Sequence, residues 1–173
     1  GMPNNPHRAP ANLVIPYDGP GWGDSWLSLE TIFDIGAQGQ GLWSGYYSMA
    51  AGSTTEEWVD FDLGSSQTVT EIRLYRYSFD EYMERFPKRI QVMEGGSYGG
   101  DSDGWTGLGS ELTLSVEDIP DDPPDYFSVD ISDTPFTGRY LRLRFRGNFR
   151  GEIFSNGNSG NIELAAVQFY GIS

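Results

Sequence analysis

Apolar and polar residues alternate strictly between residues 139 and 147, where the sequence reads RYLRLRFRG. Successive side chains of a β-strand point to opposite faces, so this period of two predicts a strand; a helix would spread the arginines around its circumference. We expect the apolar set on a buried face, and the arginines on a solvated face as a ladder with acidic residues of neighbouring strands. The buried set is Leu141, Leu143 and Phe145, and the solvated set is Arg142, Arg144 and Arg146.

Similar alternation recurs in short segments along the chain, with turn-forming residues between them. The predicted strands are residues 13–16 (an edge strand, because it ends in proline), 58–64, 69–77, a strand starting at 89, 111–116, 126–131 and 162–171. Residues 26–35 can form a short helix or a strand, and no helical periodicity continues for more than two turns. This pattern is typical of an all-β antiparallel sandwich or barrel. We therefore expect one all-β domain over residues 13–173, preceded by a tail or linker over residues 1–12.

The surface charge restricts the partners of the chain. Its 173 residues include 25 acidic and 11 basic side chains, which gives a formal net charge of -14. Such a surface repels the phosphates of nucleic acids and the headgroups of anionic membranes, whereas a neutral ligand meets no such repulsion. Ten tyrosines and five tryptophans can fill a β-rich core or form binding surfaces that combine an apolar face with a polar tip.

The sequence excludes cysteine-based catalysis and any site that needs a histidine triad or a histidine cluster. Cysteine is absent, and the single histidine, His7, lies in the terminal tail, so neither a histidine triad nor a histidine metal cluster can be built. No run of apolar residues is long enough to span a membrane. Gly1 ahead of Met2 is typical of a tag remnant. We therefore expect the chain to be part of a longer protein, with any targeting segment removed.

Several segments in a fixed order carry a resemblance to a known family. They are residues 58–64 (WVDFDLG), 72–76 (IRLYR), 87–92 (PKRIQV) followed by 103–105 (DGW), and 139–143 (RYLRL) followed by 164–171 (LAAVQFYG). This order and spacing, over about residues 30–171, resembles the discoidin or coagulation-factor C-type domains, a group that includes family 32 carbohydrate-binding modules. The resemblance implies a galactose-binding-like jelly roll of antiparallel strands. It also implies an extracytoplasmic location, in the periplasm or at the cell surface, in an exported bacterial protein of glycan utilisation.

In this family, ligands bind to loops at one end of the jelly roll. Carried over by position, these loops are residues 41–55, 76–86 and 147–161. A pyranose presents an apolar face that stacks on aromatic rings, and hydroxyls that need planar donors and acceptors. The resemblance therefore implies a set of ligand-binding residues: Tyr46, Tyr47, Arg76, Tyr82, Arg85, Phe149, Arg150, Phe154, Asn156 and Asn158.

Each type of candidate also has a structural alternative. One of two adjacent tyrosines can pack under its loop, and an arginine at a strand end can pair with a neighbouring carboxylate. An asparagine beside glycine can serve a left-handed turn, and a phenylalanine in a polar loop can anchor that loop on the core. These alternatives apply to Tyr46 with Tyr47, Arg76, Asn156 with Asn158, and Phe149 with Phe154.

Many members of the family hold a structural calcium ion near the first core strand, through backbone carbonyls, an aspartate and a late glutamate. Asp34 occupies the position of that aspartate, but Ala166 occupies the position of the glutamate, and Glu163 lies three residues away. Calcium takes six to eight oxygen ligands, so a structural calcium here needs carbonyls and water to compensate. The sequence DSDG at 101–104 resembles a calcium loop, but Ser110 stands at its glutamate position, which favours a hairpin turn.

The resemblance thus implies a non-catalytic module that binds a neutral glycan and requires no cofactor. A protein-binding or adhesion domain is the alternative. A glycoside hydrolase fragment is the third reading, and the acidic residues disfavour it because they cluster in turns such as residues 118–125.

Overall fold

The computed structural model describes residues 13–14, 23–24, 43–46, 56–76, 80–100, 103–121, 125–153, 161–164 and 166–172. These residues form strands and two short 3-10 helices. The strands are β1 (Leu13–Val14), β2 (Gly23–Asp24), β3 (Trp43–Tyr46), β4 (Glu56–Tyr75), β5 (Arg89–Glu94), β6 (Thr106–Thr113), β7 (Phe127–Asp130), β8 (Phe136–Arg146), β9 (Asn161–Leu164) and β10 (Ala166–Ile172). The 3-10 helices are η1 (Asp80–Arg85) and η2 (Val116–Asp118).

The strands form two antiparallel sheets. The larger sheet has the order β1-β4-β8-β5-β6, with β7 and β10 also paired to β4, and the smaller sheet has the order β2-β3-β9. The predicted all-β antiparallel fold is confirmed. No helix within the described ranges is long and apolar enough to cross a membrane.

Strand β4 joins two segments that the sequence separates. Residues 58–64 and 69–77 were expected to be different strands, but β4 runs through both, with a shift in its pairing to β8 between Asp62 and Gln67. Gly64 has a φ of 85°, and its N–H donates to Asp62 Oδ1 at 2.8 Å. The residues between the two predicted strands therefore form an irregularity inside one strand. Strand β8 pairs with β4 from Glu56 to Val69, on both sides of the irregularity, and β10 and β7 pair with the second half of β4.

The hydrophobic core contains side chains from both halves of β4. Leu141, Leu143 and Phe145 are fully buried in it, as the alternation predicts. Phe61 from the first half meets Phe169 of β10 edge to face, with ring centroids 4.8 Å apart. The strands that flank the predicted loops thus pack around one hydrophobic core.

The arginine face of β8 differs in part from the prediction. Arg144 and Arg146 pair with Glu111 of β6 at 3.3 and 2.6 Å, which is the expected cross-strand ladder, and the hydrogen bond from Arg146 lowers the pKa of Glu111. Arg142, in contrast, is only 2% exposed and was wrongly expected to be solvated. Part of the connection between β5 and β6 covers it, because Arg142 Nη2 donates to the carbonyl of Gly100 at 2.7 Å.

The buried Arg142 lies at the centre of a compact cluster. Its guanidinium lies 4.6 Å from the ring of Trp58 and 4.5 Å from the ring of Trp105. Two hydrogen bonds of 2.6 and 2.9 Å join it to Asp60, which also accepts the N–H of Gly99 at 2.9 Å. The cluster fixes residues 95–100 and 103–105, which belong to the connection of the predicted β5–β6 hairpin.

Strand pairing defines two ends of the larger sheet. Arg146, where β8 ends, lies opposite both Glu56, where β4 begins, and Arg89, where β5 begins. We call this the loop end. Strand β5 finishes at Glu94, next to Met93, which pairs with Arg142 near the middle of β8, and we call the region between Glu94 and the start of β8 the far end. Tyr140 lies six positions before Arg146 along β8, a distance of about 20 Å at roughly 3.3 Å per residue.

Candidate functional site

The second and third predicted ligand loops meet at the loop end. The N–H of Phe149 donates to the carbonyl of Glu84 at 2.8 Å, and the N–H of Lys88 donates to the carbonyl of Gly147 at 3.0 Å. A 2.5 Å ion pair between Lys88 and Glu152 supports the same contact. Helix η1 and residues 147–153 are therefore held side by side.

The first predicted loop joins them through the smaller sheet. Ser44 of β3 pairs with Glu163 of β9, and Tyr46 pairs with Asn161. Glu163 is 3% exposed, and Arg85 Nη1 donates to its Oε1 at 2.6 Å. This ion pair connects the end of η1 to the β3–β9 strand pair, so the described parts of all three predicted loops adjoin one another.

Arg85 is the predicted site residue that the structure places most clearly. Its side chain is 23% exposed, while its carboxylate partner is almost wholly buried. A rigid, planar guanidinium held on one side by a buried carboxylate keeps a fixed direction. Such an oriented group suits recognition of ligand hydroxyls or carbonyls.

A second buried acid adjoins this arginine in the chain. Glu84 is 3% exposed, and its Oε2 atom has no hydrogen-bond partner in the part of the chain that the structure describes. A buried carboxylate oxygen without a partner is costly.

Phe149 and Arg150 occupy the third loop in different ways. The ring of Phe149 is fully buried in the core, with Lys88 Nζ 5.6 Å from its centre. It therefore anchors its loop and offers no ring face to a ligand, contrary to the exposed aromatic that the sequence led us to expect. Arg150 is half-buried, and its N–H donates to Asn148 Oδ1 at 2.9 Å, which closes a local turn.

Arg76 is not presented as a surface donor. It is 5% exposed, and its Nε donates to the carbonyl of Pro120 at 2.8 Å. Its position at the end of β4 turns it toward the segment after η2. The expectation of an exposed guanidinium fork at this position is therefore wrong.

The remaining candidates lie wholly or partly outside the described residues. For Tyr46 and Tyr82 only the backbone is described, and the others lie outside the described residues: Tyr47, Phe154, Asn156, Asn158 and Asp34. Their roles stay predictions.

The structural calcium that the resemblance allowed stays a prediction, because Asp34 lies outside the described residues. Ala166 has no ligating side-chain atom, and Glu163, the nearest acid to it, is bound to Arg85. No group of three or more histidine, cysteine, aspartate or glutamate side chains comes together within the ranges that the structure covers.

An aromatic cluster covers the outer face of the second half of β4. The guanidinium of Arg73 lies 4.3 Å from the ring centre of Tyr126 and 3.9 Å from that of Tyr170. Tyr75 donates its hydroxyl to Gln168 at 3.0 Å, and burial, with the neighbouring Tyr170, raises its pKa to about 12. The rings of Tyr126 and Tyr170 stack on Arg73, and the hydroxyls of Tyr75 and Tyr170 both donate to Gln168 Oε1. The cluster therefore stabilises the sheet.

Sequence reasoning missed the role of Glu163 as the partner of Arg85, because 78 residues separate them along the chain. A buried polar position in a short apolar strand, as in the sequence Asn-Ile-Glu-Leu, was the available signal. It identifies a buried acid without identifying its partner.

The fold is found among solved structures. The sequence matches no protein-family model and no curated protein. A chitosan-binding module from a chitosanase/glucanase of Paenibacillus sp. IK-5 is 15% identical, with a TM-score of 0.58, over 96% of this chain and 100% of that one. The family 32 module of Clostridium perfringens NanJ, in complex with galactose, is 11% identical, with a TM-score of 0.55, over 92% and 99%.

A fucose-binding module of Streptococcus pneumoniae is also similar, at 13% identity and a TM-score of 0.56, over 98% of this chain and 99% of that one. At such identities the similarity concerns the fold. The chain therefore has the discoidin-like, antiparallel jelly-roll fold that family 32 carbohydrate-binding modules share, as the resemblance implied.

Proposed function

We propose that this chain is a non-catalytic carbohydrate-binding module that takes a neutral glycan at its loop end. The observation that carries the proposal is the Arg85–Glu163 ion pair at 2.6 Å, at the point where the three predicted ligand loops adjoin. A partly exposed guanidinium would donate to sugar hydroxyls.

The comparisons support a saccharide ligand without fixing which one. The similar modules bind chitosan, galactose and fucose, respectively. One fold thus carries different sugar specificities, which depend on the residues of the site. The net charge of -14 favours a neutral over an anionic glycan.

Glycoside hydrolysis is the second candidate, because Glu84 and Glu163 are both buried acids at this end. Hydrolysis requires two carboxyl groups on either side of the scissile bond. Glu163 is held by Arg85, which fits an anchoring role and leaves Glu84 without a catalytic partner among the described residues. This arrangement favours binding without cleavage.

The test is a glycan array followed by calorimetric titration of the best neutral saccharide. Arg85→Gln should weaken binding about tenfold or more, because a hydrogen bond to a charged group contributes about 1.5–3 kcal/mol. Arg73→Gln is the matched control: its side chain is 22% exposed against 23% for Arg85, and it is also ion-paired, but it lies on the outer face of β4.

Equal loss of affinity in both variants, or no saccharide bound by the wild-type chain, would contradict the proposal. Release of sugar from the bound oligosaccharide, abolished by Glu84→Gln, would establish the hydrolase reading instead.

A further inference from the structure

A cleft of about 270 Å³ lies at the far end of the sheet, where β5 finishes and β8 begins. Its lining includes Glu94, Thr137, Arg139 and Tyr140, together with the backbone of Gly95 and Gly96. It is separated from the loop end by most of the length of β8. None of the residues of the proposed glycan site contributes to it.

An aromatic ring is exposed at this cleft. Tyr140 is 36% exposed, and the ring of Tyr98 lies beside it, with centroids 5.4 Å apart and planes tilted by 31°. Burial raises the pKa of Tyr98 to about 12, with the carboxylates of Asp62 and Asp60 adding to the effect, so Tyr98 stays neutral. The pair presents a broad apolar surface with a polar edge.

Arg139 is held in place beside that ring. Its Nε and Nη2 atoms donate to the two carboxylate oxygens of Asp62 at 2.8 and 3.1 Å, and its guanidinium lies 5.1 Å from the ring centre of Tyr140. Bidentate pairing fixes the plane of a guanidinium. The rest of the group faces outward, since the side chain is 48% exposed.

Three polar groups of the cleft have no hydrogen-bond partner in the described part of the chain. They are Nη1 of Arg139, the hydroxyl of Tyr140 and the carboxylate of Glu94. Because Arg139 and Asp62 neutralise each other, Glu94 leaves the cleft with one negative charge. A ligand that meets all three groups therefore needs acceptors, donors and a positive charge.

The wall of the cleft is rigid. Gly96 packs so closely on the indole of Trp105 that a β-carbon would come within 2.2 Å of the ring, and Gly95 has a φ of 86° that favours glycine. Trp105 is in turn stacked on the buried Arg142. The shape of the cleft is thus set before any ligand arrives, as in most small-molecule sites.

From these contacts we infer a second saccharide site at the far end, which takes a sugar unit that carries a protonated amine. A volume of 270 Å³ lies just under the range of about 300–1,000 Å³ typical of drug-sized ligands, which suits a single sugar ring. The ring stacks at Tyr140, its hydroxyls bond to Arg139, and its ammonium pairs with Glu94. The net charge of -14 draws such a cation toward the surface.

The test compares a glucosamine trisaccharide with an N-acetylglucosamine trisaccharide by NMR titration at neutral pH. Both are measured on the wild-type chain and on Arg85→Gln, which removes the proposed loop-end contact but leaves the cleft intact. We expect the amine-bearing sugar to shift the resonances of residues 94–96 and 137–140 in both proteins, with an affinity at least tenfold higher than that of the acetylated sugar.

Two variants assign the binding to the cleft. Tyr140→Ala should lower the affinity about tenfold, and Tyr140→Phe should retain most of it because the ring remains. Glu94→Gln should abolish the preference for the free amine. Absence of shifts at the far end, or a preference for the amine that survives Glu94→Gln, would overturn the inference. Either result would leave the loop-end site untouched, because that site is tested separately by Arg85→Gln with a neutral saccharide.

Discussion

Replacing Arg142 by methionine should destabilise the protein far more than any other arginine substitution on β8. Arg142 is 2% exposed and its partner Asp60 is fully buried, so the substitution leaves a buried carboxylate with only the Gly99 N–H as its described donor. Breaking a buried ion pair in this way costs about 3–5 kcal/mol. The two tryptophan stacks add about 1–2 kcal/mol.

The expected loss of about 4–7 kcal/mol is a large part of the roughly 5–15 kcal/mol that stabilises a typical domain. At about 2–4 °C per kcal/mol for a chain of this size, the melting temperature should fall by roughly 8–28 °C. Urea unfolding followed by tryptophan fluorescence would measure the free energy directly. Arg144→Met is the matched control, because it lies on the same face two residues away but is 21% exposed, and should cost about 1 kcal/mol or less.

A double-mutant cycle separates the ion pair from the lost packing. Asp60→Asn combined with Arg142→Met should cost clearly less than the sum of the two single changes, with a coupling of about 2 kcal/mol or more. If Arg142→Met costs no more than Arg144→Met, or if the two changes are additive, the buried pair does not stabilise the fold in the way we describe.

Three further outcomes follow from individual contacts. The phenol of Tyr75 should titrate near pH 12 by ultraviolet absorbance, and titration at pH 10 would contradict this. Because its pKa is raised in the folded state, the free energy of unfolding should be unaffected below pH 10 and should fall between pH 10 and 12, by at most about 2–3 kcal/mol. Gly171→Ala should destabilise the protein by more than about 2 kcal/mol in urea unfolding, because its β-carbon would come within 1.7 Å of the Thr68 carbonyl oxygen; an unchanged midpoint would show that the backbone yields. Phe149→Leu should lower stability by about 1–2 kcal/mol and leave glycan affinity within twofold, and a tenfold loss of affinity in the folded variant would show that the ring touches the ligand.

The strands and the core were predictable because their signal is local. Alternation over a few residues was sufficient to place Leu141, Leu143 and Phe145 inside. The same local reasoning divided β4 in two, because Gly64 and the serines after it are typical of a turn. Pairing with β8 on both sides of the irregularity keeps it one strand, and that pairing cannot be deduced from the segment itself.

The burial of Arg142 was unpredictable for a related reason. Its neighbours in the sequence, Leu141 and Leu143, define which face it occupies but not what covers that face. Trp58 and Trp105, which sandwich it, come from distant parts of the chain. Alternation identifies the two faces of a strand, and only the packing of other segments decides whether the polar face meets water.

The location of the candidate site was predictable, whereas the orientation of its side chains was not. The loops were carried over from the resemblance, and hydrogen bonds do join η1 to residues 147–153. Within them, Phe149 and Arg76 turned inward, because a large side chain in a short loop is stabilised by burial as readily as by a ligand. Arg85 remained outward because a buried acid, Glu163, holds one side of it.

The two proposed sites differ in how their geometry is held, and this bears on how they would act together. The loop end is held by contacts between segments that include the Arg85–Glu163 and Lys88–Glu152 ion pairs, whereas the far end rests on the buried cluster around Arg142 through Trp105. Because about 20 Å of rigid strand separates them and they share no residue, mutations at one should not change affinity at the other. The sites open at opposite ends of β8, so a short oligosaccharide held at one cannot reach the other on the same molecule. A long polysaccharide with both neutral and amine-bearing units would instead occupy both sites of one molecule, and its avidity would then exceed the affinity of either site alone.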